Sequence, residues 1–225
     1  MRFRDLGEGR SVTRPALDGG LDDAGFPAGG DPDTVDVIDL VGVRVTGGSG
    51  AGARGEGELR RCLLDSVDLS ESRFRPLTLV DVRLARVEIS NAQWHAVVAR
   101  RVELVSARAV GLGLSLDLAA DLYVEQTRLD YAGVHLERVR GHAVFHDCSF
   151  REARIGGDLS GVIFSECDFA GAEFTGTAAR DTDLRSSRLS GVRGLHSLRG
   201  ALIDYDQLIG IAPQLAAEAG LRVEG

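Results

Sequence analysis

Lysine is absent from this 225-residue chain, and all 26 of its basic residues are Arg. That excludes a Schiff-base lysine and the phosphate-gripping lysine of a P-loop. Together with 29 Gly, it reads as the coding bias of a GC-rich bacterial genome rather than as function. Cysteine is scarce: three residues are too few for a disulfide framework. No apolar run approaches the roughly 20 residues that a bilayer requires, and the N-terminus MRFRDLGEGRSVTRPALDGG lacks the apolar stretch of a secretory signal. A cytoplasmic protein without membrane contact is expected. Net positive charge is also missing. The 34 acids leave a formal charge of −8, which excludes a general nucleic-acid binder and a basic membrane-surface patch. The chain does have a hydrophobic content of 44% beside 27% charged residues, enough for a core in one domain with short appendages.

The apolar residues keep a five-residue beat. Large ones recur at Leu59, Leu64, Leu69, Phe74, Leu79, Leu84, Ile89, Trp94 and onward, weakening at Ala119 and continuing through Val124 to Val144. The register slips by one at Phe150 and Ile155, then recovers at Leu159 and runs to Leu189. Two positions before each stands a smaller residue, such as Cys62, Val67, Ser72, Val82 and Val87. A period of five fits neither a helix nor a simple strand. It fits a chain that turns a corner every five residues, with the small and the large residue inward and three residues facing water.

The unit is clearest in CDFAG at 167–171, VDLSE at 67–71, TDLRS at 182–186 and AEFTG at 172–176. With these motifs, residues 59–203 resemble the pentapeptide repeat family. The resemblance implies an all-β solenoid, a right-handed quadrilateral parallel β-helix with four pentads to each coil. About seven coils at ~4.8 Å would make a rod of roughly 30–35 Å. Stacking is what such a coil needs, because alone it leaves an apolar edge and unpaired backbone.

The flanks lack the beat. Residues 1–34 are expected to be a flexible tail or loosely docked cap, and 35–58 to hold weak first repeats, Ile38/Leu40 and Val43/Val45, followed by a loop at GGSGAGARGEG (47–57) that leaves the wall. The slip at 145–158 predicts a bulge, with an extra residue near Phe145 recovered around Gly156–Gly157; a functional loop is the alternative. Residues 204–225 read as helical. Asp204 and Gln207 suit a capping box, Pro213 the first turn of a second helical segment, and Gly220 its C-cap. Leu208, Ile209, Leu215 and Ala216 offer an apolar face. This segment resembles the family's C-terminal helix, which in the quinolone-resistance subgroup is also the homodimer contact.

Little here suggests chemistry. Cys62, Cys148 and Cys167 occupy the small inward position and read as buried thiols. His142, His146 and Cys148 split across the wall without a fourth metal ligand, and His95, His135 and His196 fall in different coils with no paired nucleophile. A carbohydrate-active β-helix enzyme would need converging carboxylates. The acids Asp68, Glu88, Glu103, Asp168, Glu173 and Asp183 instead recur at one pentad position, as on a solvated wall. No catalytic residue, metal or cofactor is expected, and such an enzyme remains the remote alternative.

In the resembled family, quinolone-resistance proteins bind type II DNA topoisomerases, DNA gyrase in particular, as rods of DNA-like width and negative surface. The resemblance thus implies a protein partner, most specifically gyrase, a homodimer through the C-terminal end, and no direct nucleic-acid binding. Mimicry needs acids along the rod itself. Residues 59–203 carry 19 acids and 19 Arg, while 1–58 carry 11 against six and 204–225 four against one, so the excess lies in the flanks. Within the rod, one corner is acidic: Asp65, Asp68, Glu71, Glu88, Glu103, Glu125, Asp130, Glu166 and Asp168 form the candidate interaction edge. A generic interaction scaffold with another partner is the alternative.

Overall fold

The computed structural model describes residues 3–5, 7, 9–27 and 36–222. The cause of the coil is in the backbone. Numbering each pentad 1 to 5 from its small residue, position 5 is left-handed in coil after coil. Arg61, Ser66, Glu71, Asp81 and Arg86 begin a series that ends at Ser186, with φ between 49° and 63° for the non-glycine members. Such a residue costs roughly 1–2 kcal/mol, offset here by the ladder it makes possible. Each corner turns positions 1 and 3 inward and sets every coil directly on the last. Position 2 braces the corner. The carboxylates of Asp68, Glu88, Asp158, Asp168 and Asp183 accept the backbone N–H two residues on, at 2.9–3.2 Å.

The result is a parallel β-solenoid of about seven turns. Its wall strands are β4 (Asp36–Val41), β5 (Val43–Thr46), β6 (Arg54–Asp65), β7 (Arg73–Ala85), β8 (Gln93–Val105), β9 (Gly113–Glu125), β10 (Gly133–Leu136), β11 (Val139–His146), β12 (Arg154–Asp158), β13 (Ile163–Ser165) and β14 (Glu173–Ala178). Each pairs in parallel with the strand one coil on, as in Leu64↔Leu84, Leu84↔Leu104 and Leu104↔Val124. The four faces are named from the pentads beginning at Cys62 (face 1), Val67 (face 2), Ser72 (face 3) and Leu77 (face 4). Inside, large residues stack in columns, and toward the C-terminal end they are aromatic. Phe145 stacks on Phe164 and Phe150 on Phe169, both at 5.1 Å between ring centres. No helix among the described residues is long and apolar enough to cross a membrane.

Three expectations change. The glycine-rich stretch 47–57 does not leave the wall: Gly47, Gly50 and Gly52 donate to the carbonyls of Asp65, Asp68 and Ser70 at 2.7–2.8 Å. Its glycines vacate interior volume that other side chains fill. A Cβ on Gly50 would lie 2.2 Å from the Phe26 ring, and one on Gly57 2.5 Å from Leu77 Cδ1. The extra residue sits upstream of Phe145, where Gly141 and His142 bulge opposite Asp121 between the pairs Arg140↔Ala120 and Ala143↔Leu122. Register returns at Gly157, whose φ is 87° and whose Cβ would meet the Leu136 carbonyl oxygen at 2.1 Å, so glycine is required there. The tail forms one helix, α1 (Tyr205–Glu218), with Pro213 inside it rather than opening a second segment. The Asp204 backbone N–H donates to Gln207 Oε1 at 2.6 Å, and Gln207 Nε2 donates to the carbonyls of Leu184 and Ser187, tying the helix to the last coil. Ile211 plugs the core's end.

The N-terminal flank is docked. Strands β1 (Phe3–Asp5) and β2 (Ser11–Thr13) make an antiparallel hairpin on the outside of face 1. The chain then descends the wall to β3 (Asp22–Ala24), which extends the sheet beside β5, and Phe26 packs on the core. Residues 28–35, part of the expected tail, lie outside the described residues.

Candidate interaction surface

Because the coils are in register, position 2 of each face forms a straight outer ladder. On face 1 it runs Arg44, Leu63, Arg83, Glu103, Tyr123, Val144, Ile163, Asp183. Three consecutive rungs are apolar on a surface where the pattern leads one to expect polar residues, and a carboxylate closes each end. The N-terminal arm matches this. Arg10, Val12 and Arg14 alternate along one side of a strand. Val12 is buried against Tyr123, Val144 and Ile163. Arg10 Nη1 donates to Asp183 Oδ2 at 3.1 Å, and Arg14 donates to both oxygens of Glu103 at 2.7 and 3.2 Å. Arg4, opposite Val12 in the hairpin, lies 3.9 Å over the Tyr123 ring and pairs with Glu125 at 3.4 Å. Farther down, Ala16 N donates to Asp81 Oδ1 at 2.9 Å and Arg61 donates to the Gly19 carbonyl.

These contacts set the carboxylates. Burial works to raise the Glu103 pKa, but the Arg14 hydrogen bonds and the charges of Arg14, Arg83 and Arg4 outweigh it and hold the group below its ordinary value. Asp183 is lowered first by its hydrogen bond from Arg185, against burial, and further by Arg10. Burial opposes ionisation of Asp81 and Asp130 as well. Hydrogen bonds from Arg101 and Ala16 lower the first, and those from Ser149, Arg128 and Arg151 lower the second.

The candidate acidic edge divides accordingly. Glu103 is 2% exposed beneath the arm, and Asp130 is buried too, so neither is a surface charge. Asp65 pairs with Arg86, Glu88 with Arg108, Glu125 with Arg4, and Asp168 with both Arg151 and Arg188. Asp68 braces its corner, while Glu71 and Glu166 are exposed at left-handed corners and form no ion pair among the described residues. The face 2 ladder runs Ser49, Asp68, Glu88, Arg108, Arg128, Ser149, Asp168, Arg188: a mosaic, not a stripe. At the C-terminal end, Leu215 packs on the core and Ala216 is half-buried, whereas Leu208 and Ile209 are 42% and 60% exposed beside Tyr205 at 76%.

The three thiols are buried and unpaired by disulfides, and their Sγ atoms donate to carbonyls of the preceding coil. Burial raises the Cys62 pKa; the hydrogen bond to Cys148 and then burial raise that of Cys167. His146 lies outside, lining the groove beside the arm, while Cys148 points inward; no metal-holding group of His, Cys, Asp or Glu occurs among the described residues. Sequence reasoning missed the arm because it summed residues 1–58 as acidic. Residues 1–17 alone hold four Arg against Asp5 and Glu8. The legible signals were the alternation in RSVTR and the apolar position-2 residues of three successive coils.

The profile of a family described as pentapeptide repeats (8 copies) matches residues 158–191. No curated protein gives a significant match. Among solved structures, the chain is similar to two trypsin-treated variants of QnrB1, described as a plasmid-mediated fluoroquinolone resistance protein. One is 18% identical, with 92% of this chain and 100% of that chain covered and a TM-score of 0.43. The other is 19% identical, with 91% and 98% covered and a TM-score of 0.46. HetL, a pentapeptide repeat protein involved in heterocyst differentiation regulation from the cyanobacterium Nostoc sp. strain PCC 7120, is 16% identical over 73% of this chain and 86% of its own, with a TM-score of 0.30.

Proposed function

We propose that this chain, whose residues 158–191 match the pentapeptide repeats, acts without chemistry of its own, by binding another protein along its wall. One observation carries this reading: the wall already holds an extended polypeptide segment, the arm, through side chains set by the register of the coils. The most specific partner is DNA gyrase, approached by the edge where Asp65, Asp68, Glu71, Glu88, Glu166 and Asp168 reach the surface. The Arg partners on the wall favour a mosaic contact over a uniform imitation of DNA.

A supercoiling assay tests the proposal. At micromolar protein, gyrase activity is expected to be inhibited, or protected from a poison that traps its cleaved complex. No effect of either kind leaves the rod a scaffold for a different protein. Asp68→Asn, Glu88→Gln and Asp168→Asn together remove three charges while keeping acceptors for the corner N–H groups. They are expected to weaken the effect about tenfold, and an unchanged effect overturns the electrostatic version.

The exposed Tyr205, Leu208 and Ile209 on α1 support a homodimer through the C-terminal end. Ile209→Glu is expected to shift the sedimentation of the protein from dimer to monomer with its circular dichroism unchanged. A wild-type monomer at the highest soluble concentration overturns this contact.

A further inference from the structure

The arm's fit to face 1 goes beyond the closure of a loose end. The ladder from Glu103 to Asp183 has five rungs, four spacings or ~19 Å at the strand spacing, and Arg10 to Arg14 spans ~14 Å of extended chain. Two long Arg side chains reaching outward make up the difference. Charge and shape both match: carboxylate, three apolar rungs and carboxylate on the wall meet Arg, Val and Arg on the arm. Yet among the described residues the arm has no main-chain pairing with the wall at this point. β2 pairs with β1 only, and the described backbone hydrogen bonds of residues 10–17 are local to the arm, apart from Ala16 to the Asp81 carboxylate. Between Arg10 and Arg14 the described contacts with the wall are made by side chains, so no ladder has to break for this segment to leave. The groove also stays partly open beside the hairpin, a space of about 590 Å³ bordered by Tyr123, Val144, His146, Ile163 and Asp183.

We propose that face 1, from Glu103 to Asp183, is a binding groove for an extended segment of a partner protein carrying two arginines four residues apart with an aliphatic residue midway, and that residues 10–14 occupy it in cis until displaced. The inference rests on reading the wall as a protein-binding surface and specifies the chemistry recognised there. The carboxylates select guanidinium, whose planar fork accepts bidentate pairing as at Arg14, and the apolar rungs select the central side chain. Tethering gives the arm an effective concentration in the millimolar range, so a free segment competes poorly against the intact chain.

The test is a titration of the full-length protein with a fluorescent peptide, Gly-Arg-Ser-Val-Thr-Arg-Pro. The wild-type chain is expected to bind it weakly. A full-length variant with Arg10→Ser and Arg14→Ser, which loosens the arm, is expected to bind it at least tenfold more tightly. A peptide with Asp in place of Val12, or with both arginines replaced by Glu, is expected to lose that binding; these controls leave the fold untouched. Adding Glu103→Gln and Asp183→Asn to the loosened variant is expected to return it to the wild-type level. Equal binding by wild type and loosened variant, or no discrimination among the peptides, overturns the proposal. So does a groove masked only at concentrations where the protein is dimeric, which would place the arm of a second copy there. Gyrase inhibition or protection beside a failed titration would overturn this inference alone and leave the reading of the rod standing.

Discussion

Replacing Phe164 with alanine is expected to cost about 3–5 kcal/mol of stability, the range for emptying an aromatic site in a packed core. The ring is fully buried and meets three others: it stacks on Phe145 and meets Phe150 and Phe169 edge-on at 5.9 and 5.2 Å. Coils above and below are held by main-chain ladders and cannot close on the vacancy. Phe164→Leu keeps more of the volume and should cost roughly 1–1.5 kcal/mol. A solenoid's stability is close to a sum of nearest-neighbour terms, so the loss should be local. Hydrogen exchange should quicken first in β13, β14 and α1, while β6–β8 keep their protection. Urea unfolding gives the total; a loss under 1 kcal/mol would mean that the coils collapse onto the space.

Glu103→Ala is the second large effect, expected at about 2–3 kcal/mol. Breaking a buried pair from one side commonly costs about 3–5 kcal/mol. The value here is smaller because Arg4, Arg14 and Arg83 keep a quarter to a third of their side chains in water. The substitution leaves these three guanidinium groups clustered without their shared counterion. Its pH dependence separates it from simple loss of packing. The Glu103 pKa is lower in the folded protein than its ordinary 4.5. Its stabilisation is therefore fully present above about pH 4.5 and disappears as pH falls through the folded value. The gap in thermal midpoint between wild type and Glu103→Gln should be widest at neutral pH and narrow steadily below pH 4.5. A gap that does not change with pH would show that the charge contributes nothing.

Much of the fold was legible because a five-residue period has one ready physical solution. The columns through Leu64, Leu84 and Leu104, the inward cysteines and the Ile38/Leu40 start all follow from it. Where the period faltered, local rules misled. Glycine at 47–57 reads as a loop by its conformational freedom, but here it makes room for Phe26 and Leu77, distant in the chain. Five residues after Leu112 the beat falls on Asp117, yet Asp117 is exposed and Leu116 turns inward, with the pairing shifted to Val97↔Leu116. The acidic edge was read from pentad positions, which do not say what covers a wall. Glu103 has the same place in its repeat as Asp68, yet one lies beneath three arginines and the other faces solvent with only a corner to brace.

The sequence by itself determined the solenoid, its four faces and, wherever the period holds, the side of the wall a residue occupies, because those depend on contacts between neighbouring pentads and on a repeat that coil after coil restates. Only the tertiary structure decided where the non-repeating chain goes. The arm's course along face 1, the filling of the glycine-lined coil by Phe26 and the plugging of the core by Ile211 join residues with no periodic relation. Such pairings are selected by complementarity of charge and shape between surfaces that exist only once the coils have stacked.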